Sequence, residues 1–241
     1  MAVPAAPGRV VFNRNNLLVV LAALAAGLGL WAAQLAFAPP VAPEMSPSAA
    51  PGATAETAPG APVVDPGSLR AVRLCPQVRT LPPFELRQSD GTALTPDELR
   101  GRWTLVFLGF THCPDVCPTT LSDLAAAQKA WADLPEATRP RVLFVSVDPE
   151  RDTPAKAGEY AAFFHPATLA ATASTPVLED FAASLGMVFM PVQTPAGDVT
   201  FDHSTGVVLV DPQGRQAGLI RPPLVPADIA ADLRALVEAT P

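Results

Sequence analysis

Two of the three cysteines in this chain of 241 residues lie four positions apart, at Cys113 and Cys117. They follow a short apolar run, Leu105 to Phe110, that ends in a Thr-His-Cys-Pro segment. Such a run, rich in Phe and Val and ended by a turn, predicts a buried β-strand. Pro118 suits the first position of a helix, where its missing N–H costs nothing. The pair is therefore expected at a strand-to-helix junction, the usual place for a site in an α/β sheet.

The spacing of the two cysteines limits what they can do. Residues at i and i+4 around the start of a helix place both sulfurs on one side, where they could form a disulfide or bind one soft metal ion. A pair of buried core cysteines is the alternative. The proline after each cysteine and the polar Asp115 suit an exposed loop better. Because a disulfide of this spacing closes only a small loop and stabilises little, reactivity or metal binding is the better explanation.

An uncharged apolar segment of 22 residues, 17–38, stands near the N-terminus. It is long enough to cross a hydrocarbon core of ~30 Å as a helix, and Arg9 and Arg14 before it favour a cytoplasmic N-terminus over residues 1–16. A cleaved signal peptide is the alternative, since Ala36–Ala38 resembles a cleavage site, but the apolar region is longer than is usual. The sequence therefore predicts a retained transmembrane helix, single-pass in the inner (cytoplasmic) membrane, with the rest on the periplasmic or outer side.

The remaining chain divides into a tether and one domain. Residues 39–79 are predicted to be a Pro- and Ala-rich flexible tether, because 39–62 contain seven prolines and no periodic apolar pattern. Residues 80–241 form the predicted domain, which is long enough to bury a core. The formal net charge is −7, without a Lys or Arg cluster beyond the N-terminus, so nucleic acid is not expected as a partner.

Strand and helix patterns alternate along this domain. After a hairpin signal at Phe84–Gly91, the predicted strands are Trp103–Phe110, Arg141–Val147, Ser204–Val210 and Gln216–Arg221, and the predicted helices are Pro118–Ala132, Lys156–Phe164, Val177–Leu185 and Pro226–Glu238. This order predicts an α/β domain with a mixed β-sheet flanked by helices. A cysteine pair after the first central strand is similar to that of thioredoxin-like proteins, although thioredoxins use a spacing that is one residue shorter.

Three motifs then give a specific resemblance. The chain resembles the Sco/SenC family of copper proteins at three places, which occur in the same order as in that family: Gly109–Pro118, Val145–Pro154, and Asp202–Ser204 followed by Val210–Gly214. The resemblance spans Phe84 to Glu238, and the anchor followed by a tether is also typical of that family. It implies a thioredoxin-like fold and a role in assembling the dinuclear copper (CuA) centre of cytochrome c oxidase.

Carried over position by position, the resemblance implies that Cys113, Cys117 and His203 bind copper. Two thiolates and an imidazole suit Cu(I) and accept Cu(II), although the same ligands also fit zinc. The two cysteines could also alternate between dithiol and disulfide, and a helix N-terminus beside them is expected to favour the thiolate. The implied partners are subunit II of cytochrome c oxidase or a similar copper-receiving protein, and a periplasmic copper donor or thiol reductant.

The other candidate residues receive structural interpretations. His112 is expected to support the site rather than to bind metal. It adjoins Cys113, and because neighbouring residues of a strand point to opposite faces, its side chain should point away from that of Cys113. His165 is expected to end a helix. Asp115 either tunes the site or hydrogen-bonds the loop backbone. The run Asp148–Asp152 predicts a capped turn with internal ion pairing rather than a cation loop. Cys75 has no assigned partner.

Three functions compete on this basis. The first is a copper metallochaperone, which requires Cys113, Cys117 and His203. The second is a thiol-disulfide oxidoreductase that reduces cysteines of the oxidase copper site or of other exported proteins; here His203 would be dispensable. The third is a peroxidase in which Cys113 is attacked, but this chemistry needs an arginine beside the thiol, and none is near in sequence. Whether the protein is also an enzyme is left open by the sequence.

Overall fold

Ten strands and four helices lie in the part of the chain that this structure, a computed structural model, describes: Leu24, residues 64–195 and residues 197–240. The strands are Val72–Thr80 (β1), Leu86–Gln88 (β2), Ala93–Leu94 (β3), Thr104–Gly109 (β4), Arg141–Ser146 (β5), Leu169–Thr172 (β6), Phe189–Gln193 (β7), Val199–His203 (β8), Val207–Val210 (β9) and Arg215–Ile220 (β10). The helices are Val116–Ala130 (α1), Pro154–Phe164 (α2), Thr175–Ser184 (α3) and Pro226–Glu238 (α4).

Eight of these strands form one mixed sheet, in the order β1-β10-β9-β4-β5-β6-β2-β3, and β7 pairs only with β8. β4, β5 and β6 are parallel to one another, whereas the other pairs are antiparallel. Every residue of β4 is buried, and so is every residue of β5 after the first. Parallel strands covered on both faces are apolar throughout, which explains why the run before the cysteines was recognisable as a strand. The predicted α/β class with a mixed sheet is confirmed.

The topology brings three distant segments to one edge of the sheet. Because β4 and β5 are parallel and joined through α1, the loops that follow them lie at the same edge. β9 runs antiparallel to β4, with Thr104 opposite Val210 and Val106 opposite Val208. The residues just before β9 therefore reach this edge too. The fold thus brings together the segments that contain Cys113, the Asp148–Asp152 turn and His203, whereas Val210–Gly214, the second part of the third motif, follows β9 at the opposite edge.

The folded domain begins earlier than the sequence pattern indicated. β1 occupies Val72–Thr80, most of which was assigned to the tether, and it pairs with β10 at the border of the sheet. Its register breaks between Leu74 and Arg79, and most of its side chains are at least half exposed. A border strand of this kind has little apolar alternation and tolerates proline, here Pro76, so its sequence does not distinguish it from a tether.

The predicted anchor, residues 17–38, lies outside the described residues apart from Leu24. Within the part that is described, no helix combines the length and apolarity needed to span a membrane.

One buried carboxylate connects the beginning of β1 to the last helix. Asp232 of α4 is only 4% exposed. Its carboxylate oxygens accept hydrogen bonds from the backbone N–H groups of Arg70, Ala71 and Val72, at 3.0, 2.8 and 2.9 Å. A buried carboxylate is tolerable where several donors satisfy it, and here those donors fix the path by which the chain enters the sheet.

We expect Asp232→Asn to lower the free energy of unfolding by about 2 kcal/mol, because an amide cannot accept all of these hydrogen bonds. Asp228→Asn is the matched control on the same helix, since Asp228 pairs at 3.5 Å with the largely exposed Arg70. Asp228→Asn should lower the free energy of unfolding by less than about 1 kcal/mol. Urea unfolding of both variants measures the difference, and equal costs would contradict an anchoring role for Asp232.

Candidate metal centre

The first cysteine of the pair interacts with the beginning of α1. This helix starts at Val116, with Asp115 at its N-cap, so Cys117 lies in its first turn and Pro118 at its third position rather than its first. The Asp115 side chain makes no capping hydrogen bond. Instead, the backbone N–H of Cys117 donates to the Cys113 sulfur at 3.4 Å. The sulfur thus takes the place that a capping oxygen usually has, and the two cysteines are held close together.

Three soft ligand atoms meet at this point. The sulfurs of Cys113 and Cys117 and a ring nitrogen of His203 all lie within 4.8 Å of one another. The Cys117 sulfur is 3.4 Å from His203 Nε2. Cys113 and His203 are half-buried, whereas Cys117 is fully buried. Two thiols and one imidazole in this arrangement fit a soft metal ion such as Cu(I), and they also fit zinc.

The orientation of His203 is set by its neighbours. It ends β8, opposite Phe189 of β7, and its ring lies edge-on to the rings of Phe107 and Phe110, with centroids 5.9 and 6.0 Å away. Its Nδ1 lies 3.0 Å from the carbonyl oxygen of Ser204. A carbonyl only accepts, so Nδ1 carries the proton of the neutral ring and Nε2 presents its lone pair to the sulfurs. Burial lowers the pKa of His203, which keeps the ring neutral, as a metal ligand requires.

The protonation of Cys117 differs from the expectation that the helix N-terminus would favour its thiolate. Burial raises the pKa of Cys117 far above its ordinary value, and the hydrogen bond with Cys113 acts in the same direction. The cost of desolvating a thiolate here exceeds what the helix start contributes. In the metal-free protein Cys117 is therefore a neutral thiol, and a metal that binds there must displace its proton. The expectation of an exposed cysteine loop is likewise wrong for Cys117.

Gly109, the last residue of β4, is a part of the site that sequence reasoning did not single out. A Cβ atom on Gly109 would lie 2.9 Å from the Cys117 sulfur and 2.9 Å from Cε2 of Phe144. Neither contact is compatible with van der Waals radii, and both neighbours are fully buried. Glycine is thus required by close approach, so that the Cys117 sulfur can pack against the end of the strand.

A buried carboxylate holds the segment before Cys113. Asp152 is inaccessible to solvent and accepts hydrogen bonds from Thr111 N at 2.8 Å, Thr111 Oγ1 at 2.5 Å and Ser146 Oγ at 2.6 Å. It therefore connects the loop after β4 to the loop after β5. In the latter loop Arg151 pairs with Asp148, which confirms the predicted turn with internal ion pairing.

His112, Asp148 and Asp152 form a second group of ligand atoms within 4.8 Å. Two cations already neutralise these carboxylates, because Arg151 pairs with Asp148 and Lys156 Nζ lies 3.7 Å from Asp152. His112 Nδ1 is 3.8 Å from Asp152 and 3.1 Å from the Thr111 hydroxyl. This arrangement supports the predicted role of His112 as a neighbour of the site rather than a ligand.

The remaining sequence candidates lie away from the three ligands. His165 caps the C-terminal end of α2, as predicted. Cys75 is half-buried in β1, and it is a free thiol, as are Cys113 and Cys117. Among the described residues no arginine hydrogen-bonds to Cys113, so the peroxidase hypothesis gains no support from the structure.

The profile of the SCO1/SenC family matches residues 75–238, which is well over half of the chain. The chain belongs to the SCO1/SenC family. The match starts inside β1 and ends with α4, so it covers all three ligands and nearly the whole sheet. The resemblance that the three motifs indicated is thereby confirmed.

Individual relatives agree with this assignment. A protein of Stutzerimonas stutzeri whose name refers to copper binding is 35% identical over 155 residues, which cover 64% of this chain and 74% of that protein. The mitochondrial SCO1 homolog 1 of Arabidopsis thaliana is 39% identical over 136 residues, which cover 54% of this chain and 39% of the plant protein. The chain therefore spans well under two thirds of the plant protein's length.

Solved structures extend the agreement to the fold. The structure of Bradyrhizobium japonicum ScoI with copper bound has a TM-score of 0.59 at 35% identity, covering 65% of this chain and 98% of that chain. Apo Sco1 from Thermus thermophilus also has a TM-score of 0.59, at 34% identity, and the match covers 68% of this chain and 94% of that chain. The mixed sheet with its flanking helices is thus the thioredoxin-like fold of Sco proteins.

We expect the cysteines to differ in reactivity. In the reduced, metal-free protein at pH 8, iodoacetamide should modify Cys113 faster than Cys117 by at least on the order of tenfold, because Cys117 is buried and its pKa is raised. Peptide mass spectrometry after timed quenching measures each rate. In denaturing urea the two rates should converge, which serves as the control. Faster modification of Cys117 in the folded protein would contradict this description of the site.

Gly109→Ala should disturb the site through overpacking. We expect a loss of about 1–3 kcal/mol in the free energy of unfolding, together with faster alkylation of Cys117, because the added methyl displaces the sulfur. Gly67→Ala is a suitable control, since its Cβ would meet only the exposed Asp65 side chain, at 3.3 Å. If Gly109→Ala were as stable as the control and left Cys117 protected, the close-approach argument would fail.

Proposed function

We propose that this protein is a membrane-anchored copper metallochaperone that assists assembly of the dinuclear CuA centre of cytochrome c oxidase. One copper ion, as cargo, would be bound by Cys113, Cys117 and His203. The observation that carries this proposal is the meeting of three soft ligand atoms within 4.8 Å at one edge of the sheet. The family and its copper-bound structural relatives support copper as the metal.

The ligand set favours copper over zinc. Structural zinc sites almost always have four protein ligands, whereas the cluster found among the described residues offers three. Two sulfurs and an imidazole form the soft, low-coordinate environment that Cu(I) prefers, and they also accept Cu(II). The neutral Nε2 of His203 is ready to bind, while the Cys117 thiol must first lose its proton. Copper affinity should therefore decrease as the pH falls.

The position of the site suits transfer to another protein. Cys113 is half-exposed, and the side chain of Val116 beside it is exposed although it is apolar. A partner could thus approach one ligand while Cys117 and His203 retain the ion. In this proposal residues 17–38 anchor the chain in the inner membrane, and the tether lets the domain reach its partners on the outer side. Those partners are subunit II of the oxidase or a similar receiving protein, and a periplasmic copper donor or thiol reductant.

A specific observation favours a second function, thiol-disulfide exchange. The half-exposed Cys113 sulfur accepts a hydrogen bond from the backbone N–H of Cys117, and the side chain of Cys117 is fully buried. An accessible attacking thiol with a protected second thiol is the arrangement that such exchange requires. Reduction of a substrate disulfide would leave Cys113 and Cys117 oxidised, and a thiol reductant would have to restore them.

Copper titration of the reduced full-length protein tests the proposal. In a Cys75→Ser background, titration with Cu(I) against a competing chelator should give one tightly bound copper per chain. His203→Ala should weaken binding by at least about 100-fold, because it removes a ligand itself. His165→Ala is the matched control, and its affinity should stay close to that of the parent, since His165 lies at the C-terminal end of α2, away from the three ligands.

The opposite result would assign the site differently. If copper bound weakly, or if His203→Ala bound it as tightly as the parent, the metallochaperone proposal would be wrong. Reduction of a disulfide-bonded peptide, retained in His203→Ala and lost in Cys113→Ser, would then establish thiol exchange.

A further inference from the structure

A cavity opens at the edge of the sheet opposite the three ligands. It has a volume of about 380 Å³ and lies where β4, β5 and β6 begin and α1 ends. We call it the arginine pocket and define it by six of its lining residues: Leu94, Arg102, Gln128, Trp131, Arg139 and Arg141. Its volume is within the range of small-molecule sites, about 300–1,000 Å³.

The pocket carries a local positive charge. Arg102, Arg139 and Arg141 are half-buried, and within the described ranges none of them forms an ion pair with a carboxylate. Among the other described arginines, six form such pairs and three (Arg73, Arg79 and Arg221) do not. In a chain with a net charge of −7, three guanidinium groups that outnumber the two lining carboxylates, Glu98 and Glu136, form a positive site.

The hydrogen bonds of these arginines leave donors available. Arg102 donates to the carbonyl of Glu136, and Arg139 to the carbonyl of Leu134. Arg141 donates to the Thr104 hydroxyl through Nε and to backbone carbonyls through Nη2. Each guanidinium has five N–H donors, so all three retain unused ones. Burial, with the nearby charge of Arg102, lowers the pKa of Arg141, and an anion would relieve this repulsion.

A buried amide provides a second, independent indication. Gln128 is 97% buried, since only 3% of it is exposed, and it lines the pocket. Its Oε1 accepts from the Thr168 hydroxyl at 2.8 Å. Its Nε2 has no protein hydrogen-bond partner within residues 64–195 and 197–240, and it is reached by solvent in the cavity. A ligand oxygen could therefore accept a hydrogen bond from this donor in place of water.

The remaining lining defines the shape of the ligand. Ala167 and Leu169, which line the cavity and retain accessible surface, contribute an apolar wall, whereas Leu94 and Trp131 are buried. Glu98 and Glu136 also line the cavity, but both are exposed residues at its rim, and Glu98 is bonded to Thr95. The interior therefore offers guanidinium and amide donors beside apolar surface, while the acidic groups remain in contact with water.

We propose that the arginine pocket binds a small organic anion, in which a phosphate or carboxylate group is attached to a compact apolar body. The anionic group contacts Arg102, Arg139 and Gln128, and the apolar body packs on Leu169. Guanidinium groups suit such oxyanions because they can donate two parallel hydrogen bonds. The pocket is separate from the cysteine site and does not depend on the function proposed for it.

Calorimetric titration of the full-length protein at low ionic strength tests this inference, with phenyl phosphate as the probe. We expect saturable binding that is tighter than that of inorganic phosphate, and none for phenol, which lacks the anionic group. Arg102→Gln and Arg139→Gln should each weaken binding by about tenfold. Glu136→Gln should strengthen it, because it removes a negative charge from the rim. Arg87→Gln, an exposed arginine paired with Glu85, is the matched control and should leave binding unchanged.

A spectroscopic measurement keeps the test decisive if an arginine variant fails to fold. In NMR spectra of the unaltered protein, phenyl phosphate should shift the side-chain amide resonances of Gln128 and the indole resonance of Trp131, but not the amide of Gln213, which lies outside the pocket. Absence of saturable binding, equal binding of phenol, or insensitivity to both arginine changes would overturn the inference. The three arginines would then only donate hydrogen bonds to neighbouring groups of the protein.

Discussion

The contact between the Cys117 sulfur and the backbone of Gly109 determines the geometry of the metal centre. It is possible only because Gly109 has no Cβ atom, and it places the sulfur at the buried end of the central strand. The helix begins at Val116, two residues before the predicted Pro118, and the backbone N–H of Cys117 donates to the Cys113 sulfur. His203 Nε2 lies 3.4 Å from the Cys117 sulfur, so Cys117 is the residue in direct contact with both other members of the cluster.

Burial disfavours charged side chains in one part of this centre, whereas hydrogen bonds make a charge tolerable in another. It disfavours charge on Cys117 and on His203, so both are held in their neutral forms, and the metal-free site carries little charge within the core. A soft cation that binds there displaces the thiol protons, and the thiolates that form neutralise its charge. By contrast, the charge of Asp152 is tolerated beside the site because three hydrogen bonds satisfy it. Hydrogen bonds consequently hold the segment that precedes Cys113, while Cys113 itself remains partly accessible.

The two edges of the sheet differ in chemistry because parallel strands have two different ends. At the carboxyl edge, the loops after β4 and β5 and before β9 bring together sulfur and imidazole. At the amino edge, the starts of β4, β5 and β6 bring together Arg102, Arg139 and Arg141 around a cavity. The distance between these edges is the length of the central strands, so an anion at one end and a metal at the other would not compete for the same residues.

The sequence by itself determined the central strand, the cysteine pair, the last helix and the family, because continuous apolar runs, fixed spacings and ordered motifs are local properties of the chain. It also predicted His203 as a ligand, but only through the family resemblance. Tertiary structure alone decided that β1 belongs to the domain, that Cys117 is buried, and that Gly109 cannot carry a side chain. The same holds for the arginine pocket, whose six defining residues come from four separate segments. These features depend on contacts between residues far apart in sequence, and periodicity and propensity carry no information about which distant groups will meet.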